Sequence, residues 1–170
     1  MGFFDKLFGG KSKDENTAKF TNQSKTVLTP LQGKVLEQAD IPDETFAQGI
    51  LGPGCGIEPT GDTVYAPFDG TVTQIATTLH AVGITSNDGI ELLIHVGMDT
   101  VDMKGQGFTV LVKENQKVTA GTPLLKVDLD AIRAAGHPTA TAIIVTDGAG
   151  DEVKMLAEGD ILAGAPLFKF

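Results

Sequence analysis

The chain of 170 residues has no tryptophan, one tyrosine, one cysteine and three histidines. The lone Cys55 cannot close an internal disulfide, as expected for a protein of a reducing cytoplasm. It sits in Gly-Pro-Gly-Cys55-Gly with no nearby base in sequence, and reads as a small turn residue, not a nucleophile. No apolar run approaches the ~20 residues that span a bilayer. The start, Met1-Gly-Phe-Phe-Asp-Lys-Leu-Phe8, is too short for a signal peptide. Lys6 stands where a myristoylation signal needs Ser or Thr. Basic residues are outnumbered, 13 Lys and Arg against 22 Asp and Glu, for a net charge of −9. That balance excludes nucleic acid, whose phosphates would be repelled, and favours a partner with a basic face.

What is present is mostly turn and strand. The 21 glycines and 8 prolines are scattered, and β-branched runs lie between them. Strands are expected at 27–28, 34–36, 64–66, 71–78, 90–96, 108–112, 124–127, 142–145 and 167–170. One helix is expected, with Asp128 or Asp130 capping 131–135 and Gly136 ending it. Pro30-Leu-Gln-Gly33-Lys-Val35 recurs as Pro67-Phe-Asp-Gly70-Thr-Val72, an offset of 37 residues. Each copy is a tight turn into a strand. The fold class is therefore all-β: an antiparallel β-sandwich or barrel with a duplicated β unit and at most short helices.

The chain divides into a flexible N-terminal tail over 1–24 and a domain over 25–170. Phe3, Phe4, Leu7 and Phe8 share one side of a short helical pattern within 2–9. The polar run that follows reads as a tether. This stripe predicts weak, reversible contact with a membrane surface.

Two of the three histidines flank one turn, in His80-Ala-Val-Gly-Ile-Thr-Ser-Asn-Asp-Gly-Ile-Glu-Leu-Leu-Ile-His95. With Asn87-Asp88 as a two-residue loop, His80 lies opposite His95. With Asp88-Gly89 as the turn, His95 opposes Val82 and His80 is its diagonal neighbour on the same face. Only an odd loop length separates the faces. Thr78 shares parity with His80 and can hydrogen-bond it. Val82 and Leu93 are expected to flank the pair, and Asp99 to put a carboxylate at its mouth. A polar pair ringed by apolar groups and acids suits a docking site. Paired imidazoles can supply a nucleophile with a hydrogen-bonding partner, or relay a proton. They can bind zinc only with further ligands.

Several segments together resemble the glucose-type enzyme IIA domain of the bacterial sugar phosphotransferase system. They are Gly2-Phe-Phe-Asp-Lys-Leu7, Ile41-Pro-Asp43 with Phe46, Pro59-Thr-Gly61, Ala66-Pro-Phe-Asp-Gly70-Thr, His80-Ala and Gly89-Ile-Glu-Leu-Leu-Ile-His95-Val-Gly-Met-Asp99-Thr-Val. The resemblance implies a β-sandwich phosphocarrier. His95 would carry a phosphohistidine intermediate, with His80 and Thr78 as the supporting network and the Gly97 carbonyl orienting the His95 ring. The histidine phosphocarrier protein would donate, and a membrane sugar permease, enzyme IIB/IIC, would accept. No cofactor is required; zinc could join His80 and His95 at an interface where a partner supplied further ligands. The place of action would be the cytoplasm, at the inner face of the membrane.

The docking surface would comprise Asp43, Phe46, Val82, Leu93, Val96 and Asp99. Where the family often carries phenylalanines, this chain has Ala76, Val82, Leu93 and Val96, with Phe46 remaining. Some relatives also regulate other sugar uptake and adenylate cyclase, and the less aromatic face bears on those contacts more than on phosphotransfer.

Two other readings compete. A zinc hydrolase usually needs a His-x-His segment and a third ligand, and His137 is the one histidine left over. A biotinyl or lipoyl carrier, suggested by Gly121-Thr-Pro-Leu-Leu125, needs a lysine in a Met-Lys-Met or Asp-Lys-Ala setting, which Lys104 and Lys117 lack.

Overall fold

The computed structural model describes residues 17–170. The expected amphipathic segment 2–9 therefore lies outside the described residues. In chain order the strands are β1 (Thr26–Leu28), β2 (Gly33–Leu36), β3 (Gly54–Pro59), β4 (Thr63–Tyr65), β5 (Gly70–Ile75), β6 (Ala81–Ser86) and β7 (Glu91–His95). They continue as β8 (Phe108–Val110), β9 (Lys117–Val118), β10 (Pro123–Val127), β11 (Thr141–Asp147), β12 (Lys154–Met155), β13 (Asp160–Ile161) and β14 (Pro166–Lys169). Two short α-helices, α1 (Glu44–Ala47) and α2 (Leu129–Ala134), and two 3-10 turns at Gln38–Asp40 and Thr100–Met103 complete the described chain.

Every strand pair is antiparallel. An eight-stranded sheet, in the order β13-β2-β3-β11-β7-β6-β5-β9, faces two three-stranded sheets, β1-β14-β12 and β4-β10-β8. The order reads as four strands followed by their counterparts in reverse. Gly33 opens β2 and Gly70 opens β5, as the repeated motif requires. Across the repeat the bonds are reciprocal: Leu28 N–H donates to the Pro67 carbonyl (2.9 Å) and Tyr65 N–H to the Pro30 carbonyl (2.8 Å). The two β units are thus related by an approximate two-fold axis. It passes beside the Ile143–Ile94 pair at the middle of the large sheet. The second unit, β4 to β10, is inserted between β3 and β11 of the first.

The main core lies between the sheets and includes Ile57, Val72, Ile84, Leu92, Ile94, Leu124, Ile143 and Phe168. Each such side chain contributes about 1.5–3 kcal/mol by leaving water. Strand alternation sends the other residues of β7 and β11 outward. There Ala142, Ile144, Ile41, Phe46 and Met98 form a second cluster, with Leu93 packed against it.

Strand β3 departs from the sequence reading. Cys55 lies within this central strand and not in a turn, 1% exposed. Burial pushes its thiol up to about 12, so it stays protonated and inert. Glycines usually weaken strands, but here they permit close strand approach. A Cβ on Gly54 would stand 2.0 Å from the Ile143 carbonyl oxygen, and one on Gly33 2.1 Å from that of Glu58.

The chain N-terminal to β1 also differs from a free tail. Ala18 N–H donates to the Ala163 carbonyl (2.8 Å), and the Asn22 amide oxygen accepts from Asp69 N–H (2.8 Å). Phe20 packs on Tyr65, ring centroids 5.3 Å apart, and against the bare Cα faces of Gly121 and Gly164. Those glycines occupy equivalent turns of the two units, Ala120-Gly-Thr-Pro-Leu124 and Ala163-Gly-Ala-Pro-Leu167. Residues 18–22 therefore strap the two units together, because one apolar ring fits between two side-chain-free turns.

Candidate phosphoryl-acceptor site

The β6–β7 hairpin has a three-residue loop, 87–89. Ser86 N–H donates to the Ile90 carbonyl (2.9 Å), Gly89 N–H to the Ser86 carbonyl (3.0 Å), and Gly89 has φ +94°. A type I turn followed by a left-handed glycine is the usual three-residue solution. Neither two-residue loop considered from sequence is formed. His95 pairs with Ala81, and Val96 N–H donates to the His80 carbonyl (2.8 Å).

An odd loop should separate the imidazoles, yet their ring centroids are 4.6 Å apart, nearly edge to face at 80°. The reason lies before β6. His80 precedes the strand, and Leu79 ahead of it has φ +64°. Strand alternation does not extend through that turn, so the His80 side chain is free to reach its neighbour. Thr78 Oγ1 lies 2.8 Å from His80 Nδ1, the expected partner, but the contact is made within the turn after β5 and not by strand parity.

His95 ends β7 on the outer face. Its Nδ1–H donates to the Gly97 carbonyl at 2.9 Å. Gly97 has φ +73°, a conformation suited to glycine. The adjoining turn is tied to the loop after α2 by Met98 N–H donating to the Pro138 carbonyl (3.0 Å). Phe46 covers another side of His95, ring centroids 4.9 Å apart. It is carried by α1, whose cap is Asp43: the carboxylate accepts from Phe46 N–H at 3.3 Å. This helix was not foreseen, although Asp43 ahead of Glu44-Thr45-Phe46 is a capping signal.

Burial pushes the His95 imidazole down from 6.5 to about 4; the neighbouring His80 adds to this, while the Gly97 bond and Asp43 oppose it. His80 is also lowered, chiefly by burial, against a hydrogen bond with the Thr78 backbone. Both rings are neutral at pH 7. With the Nδ1 proton held by Gly97, His95 Nε2 carries the free lone pair. A neutral imidazole presented this way is a competent nucleophile.

Of the expected docking residues, Asp43 and Leu93 are half-buried on this face, Phe46 is 6% exposed and Asp99 is exposed. Val82 and Val96 are corrections: they are 1% and 0% exposed and belong to the main core. The shift to a three-residue loop turns Val82 inward with Ile94, so neither can touch a partner. Among the described residues no group of three or more His, Cys, Asp or Glu side chains is placed to hold a metal ion. Neither histidine lines the concavity of about 480 Å³ bounded by Gln38, Gly52 and Asp147. His80 is 7% exposed and His95 is half-buried, on the outer side of the large sheet.

A β-sandwich presenting one tautomer-fixed, neutral imidazole on its outer face, beside Phe46 and within reach of the Asp43 charge, has the makings of a protein-to-protein group carrier. The family model for the phosphoenolpyruvate-dependent sugar phosphotransferase system, EIIA 1, matches residues 25–150, and the chain belongs to that family. It is 43% identical over 144 residues to the glucose-specific EIIA component of Halalkalibacterium halodurans, covering 85% of this chain and 83% of that protein. It is 44% identical over 138 residues to the glucose-specific EIICBA component of Staphylococcus carnosus, covering 81% of this chain and 20% of that one. The chain thus spans about a fifth of this multidomain relative. The solved structure of glucose permease IIA from Mycoplasma capricolum superposes with a TM-score of 0.81 at 32% identity, covering 89% of this chain and 98% of that chain.

Proposed function

We propose that the chain is a phosphoryl carrier. His95 Nε2 accepts the group from the histidine phosphocarrier protein and passes it to the enzyme IIB/IIC part of a membrane sugar permease. The observation that carries this reading is the His95 Nδ1–Gly97 bond at 2.9 Å beside the His80 ring. It leaves one nitrogen unprotonated, on a half-buried ring at the outer face of the sheet, with a second imidazole next to it.

In the transfer, the P–N bond on the donor breaks as a P–Nε2 bond forms on His95. The Nδ1 proton stays with the Gly97 carbonyl. Phosphoryl transfer calls mostly for positioning and charge stabilisation. With Thr78 Oγ1–H donating to His80 Nδ1, the His80 proton resides on Nε2 and can be given in a hydrogen bond to a phosphoryl oxygen. Phe46 and Leu93 limit water at the site. Asp43 and Asp99 attract a basic donor. A zinc ion at His80 and His95 would need ligands from a partner.

Among the described residues no helix is long and apolar enough to cross a membrane. The place of action in this reading is the cytoplasmic face, where the apolar stripe of 2–9 supports weak contact with lipid beside the permease. The test is a reconstituted relay with phosphoenolpyruvate and the general phosphotransferase proteins. Wild type should be labelled and His95→Gln should not. His80→Gln should accept label yet pass it on ~10²–10⁴-fold more slowly. Label retained on His95→Gln would refute the assignment.

A further inference from the structure

Thr100 is fully buried, although it is polar and follows an exposed aspartate. Its hydroxyl donates to the Val96 carbonyl at 2.6 Å. Between the two partners lies Gly97, the residue whose carbonyl accepts the His95 Nδ1 proton. A Cβ on Gly97 would stand 2.5 Å from Thr100 Cγ2 and 3.0 Å from the Pro138 carbonyl oxygen. Gly97 is therefore gripped from two sides, by the Thr100 methyl and by the 138 backbone. Both Gly97 and Asp99 are left-handed, at φ +73° and +59°. Glycine takes such a torsion without strain, but Asp99 does not, and its surroundings must hold it there. A threonine hydroxyl bonding back to the carbonyl four residues earlier is the local device that does so here.

We propose that Thr100 is a positioning residue for phosphoryl transfer, acting through Gly97 on the tautomer of His95. The inference rests on the carrier reading above. The Thr100–Val96 bond closes the turn, the closed turn aims the Gly97 carbonyl at His95 Nδ1, and that carbonyl keeps the proton off Nε2. Without it, His95 divides its proton between the two nitrogens, and part of the population presents a protonated Nε2 that cannot attack phosphorus. Thr100 touches neither ring in this chain of bonds, so its effect falls on the fraction of competent carrier and not on donor docking.

The test compares Thr100→Val, which keeps the shape and loses the hydroxyl, with Thr100→Ser, which keeps the hydroxyl. The tautomer is read directly by nitrogen-15 NMR of the His95 ring at pH 7, without any donor. Wild type should show the proton on Nδ1. Thr100→Val should show it shared, and should accept phosphate on the order of ten-fold more slowly, the scale of one buried hydrogen bond left unmade. The loss should appear in the maximal rate, with the donor concentration for half-maximal rate unchanged. Thr100→Ser should restore both the nitrogen signature and the rate. A Val variant with the wild-type tautomer and rate overturns the proposal, and so does a Ser variant that loses both. If Thr100→Val does not fold, Thr100→Ala takes its place, and a wild-type tautomer and rate in that variant overturn the proposal. An unlabelled wild type would instead refute the carrier reading, while the NMR comparison would still decide the role of Thr100.

Discussion

At the scale of single residues, His95 is a half-buried base whose protonation is shifted by burial within the ordinary pH range. Its ordinary pKa of 6.5 is pushed down to about 4 by burial, and this links it to stability. Above pH ~6.5 it is neutral folded and unfolded, and contributes no pH dependence. As pH falls towards 4 the unfolded chain takes the proton first, so stability is lost across that window; below 4 both states hold the proton and the loss is constant. At about 1.4 kcal/mol per unit, the full loss is about 3 kcal/mol. His95→Gln should therefore lose less stability than wild type between pH 7 and 4.5 in urea unfolding; parallel losses would contradict the burial. That His80, His95 and Thr78 belong together was expected from the sequence, but the grounds for it, an even loop and strand parity, do not hold: the loop is odd, and the break at Leu79, φ +64°, lets His80 reach His95. The register was not legible, since Ser86-Asn-Asp-Gly89 is compatible with several loop lengths. Val82 was misplaced for that reason, since a three-residue loop sets it opposite Ile94; Val96 faces the core because it adjoins His95 in the chain and alternation sends the two to opposite faces.

At the scale of elements, the repeated Pro-x-x-Gly turns into β2 and β5 were readable because glycine and proline punctuate a chain regardless of its tertiary setting. So was α2, which Asp128 caps by accepting from Ala131 N–H (3.0 Å) and which ends at Gly136, φ +83°. Strand β3 was not readable. Its Gly-Cys-Gly run lacks strand propensity, and its extended form is imposed by β2 and β11 on either side. This has a measurable consequence. Gly54→Ala would force β3 from β11 and should cost about 1–3 kcal/mol or prevent folding. Gly150→Ala, with nothing within 4 Å of its added Cβ, should be neutral. Urea midpoints of the two variants check this, and equal midpoints would contradict the close approach of β3 and β11.

At the scale of the whole molecule, the two-fold arrangement sets the site on one pole and the strap on the other. His95 pairs with Ala142 beside the axis on the outer face of the large sheet. Phe20 lies across the sandwich, between the equivalent turns at Gly121 and Gly164. Ile144 holds the place equivalent to His95 in the other unit, so the duplicated scaffold carries the chemistry once. The duplication was legible as a short motif. The insertion of one unit within the other was not, because the partner turns at 120–124 and 163–167 follow a different offset. In the proposed relay, the net charge of −9, with Asp43 acting on His95 and Asp99 exposed four residues beyond it, favours a basic donor. Association should slow as ionic strength rises, and Asp99→Asn should slow it further at low salt while leaving the unfolding midpoint unchanged. Stopped-flow association rates indifferent to both would show that docking is apolar alone.

The most direct measurement is the position of phosphorus on the protein. After phosphorylation by the donor, phosphorus-31 and nitrogen-15 NMR should show a single phosphohistidine at His95, bonded at Nε2, with the proton still on Nδ1 beside the Gly97 carbonyl. Phosphorus on His95 Nδ1, on His80 or on any other residue would contradict the central claim.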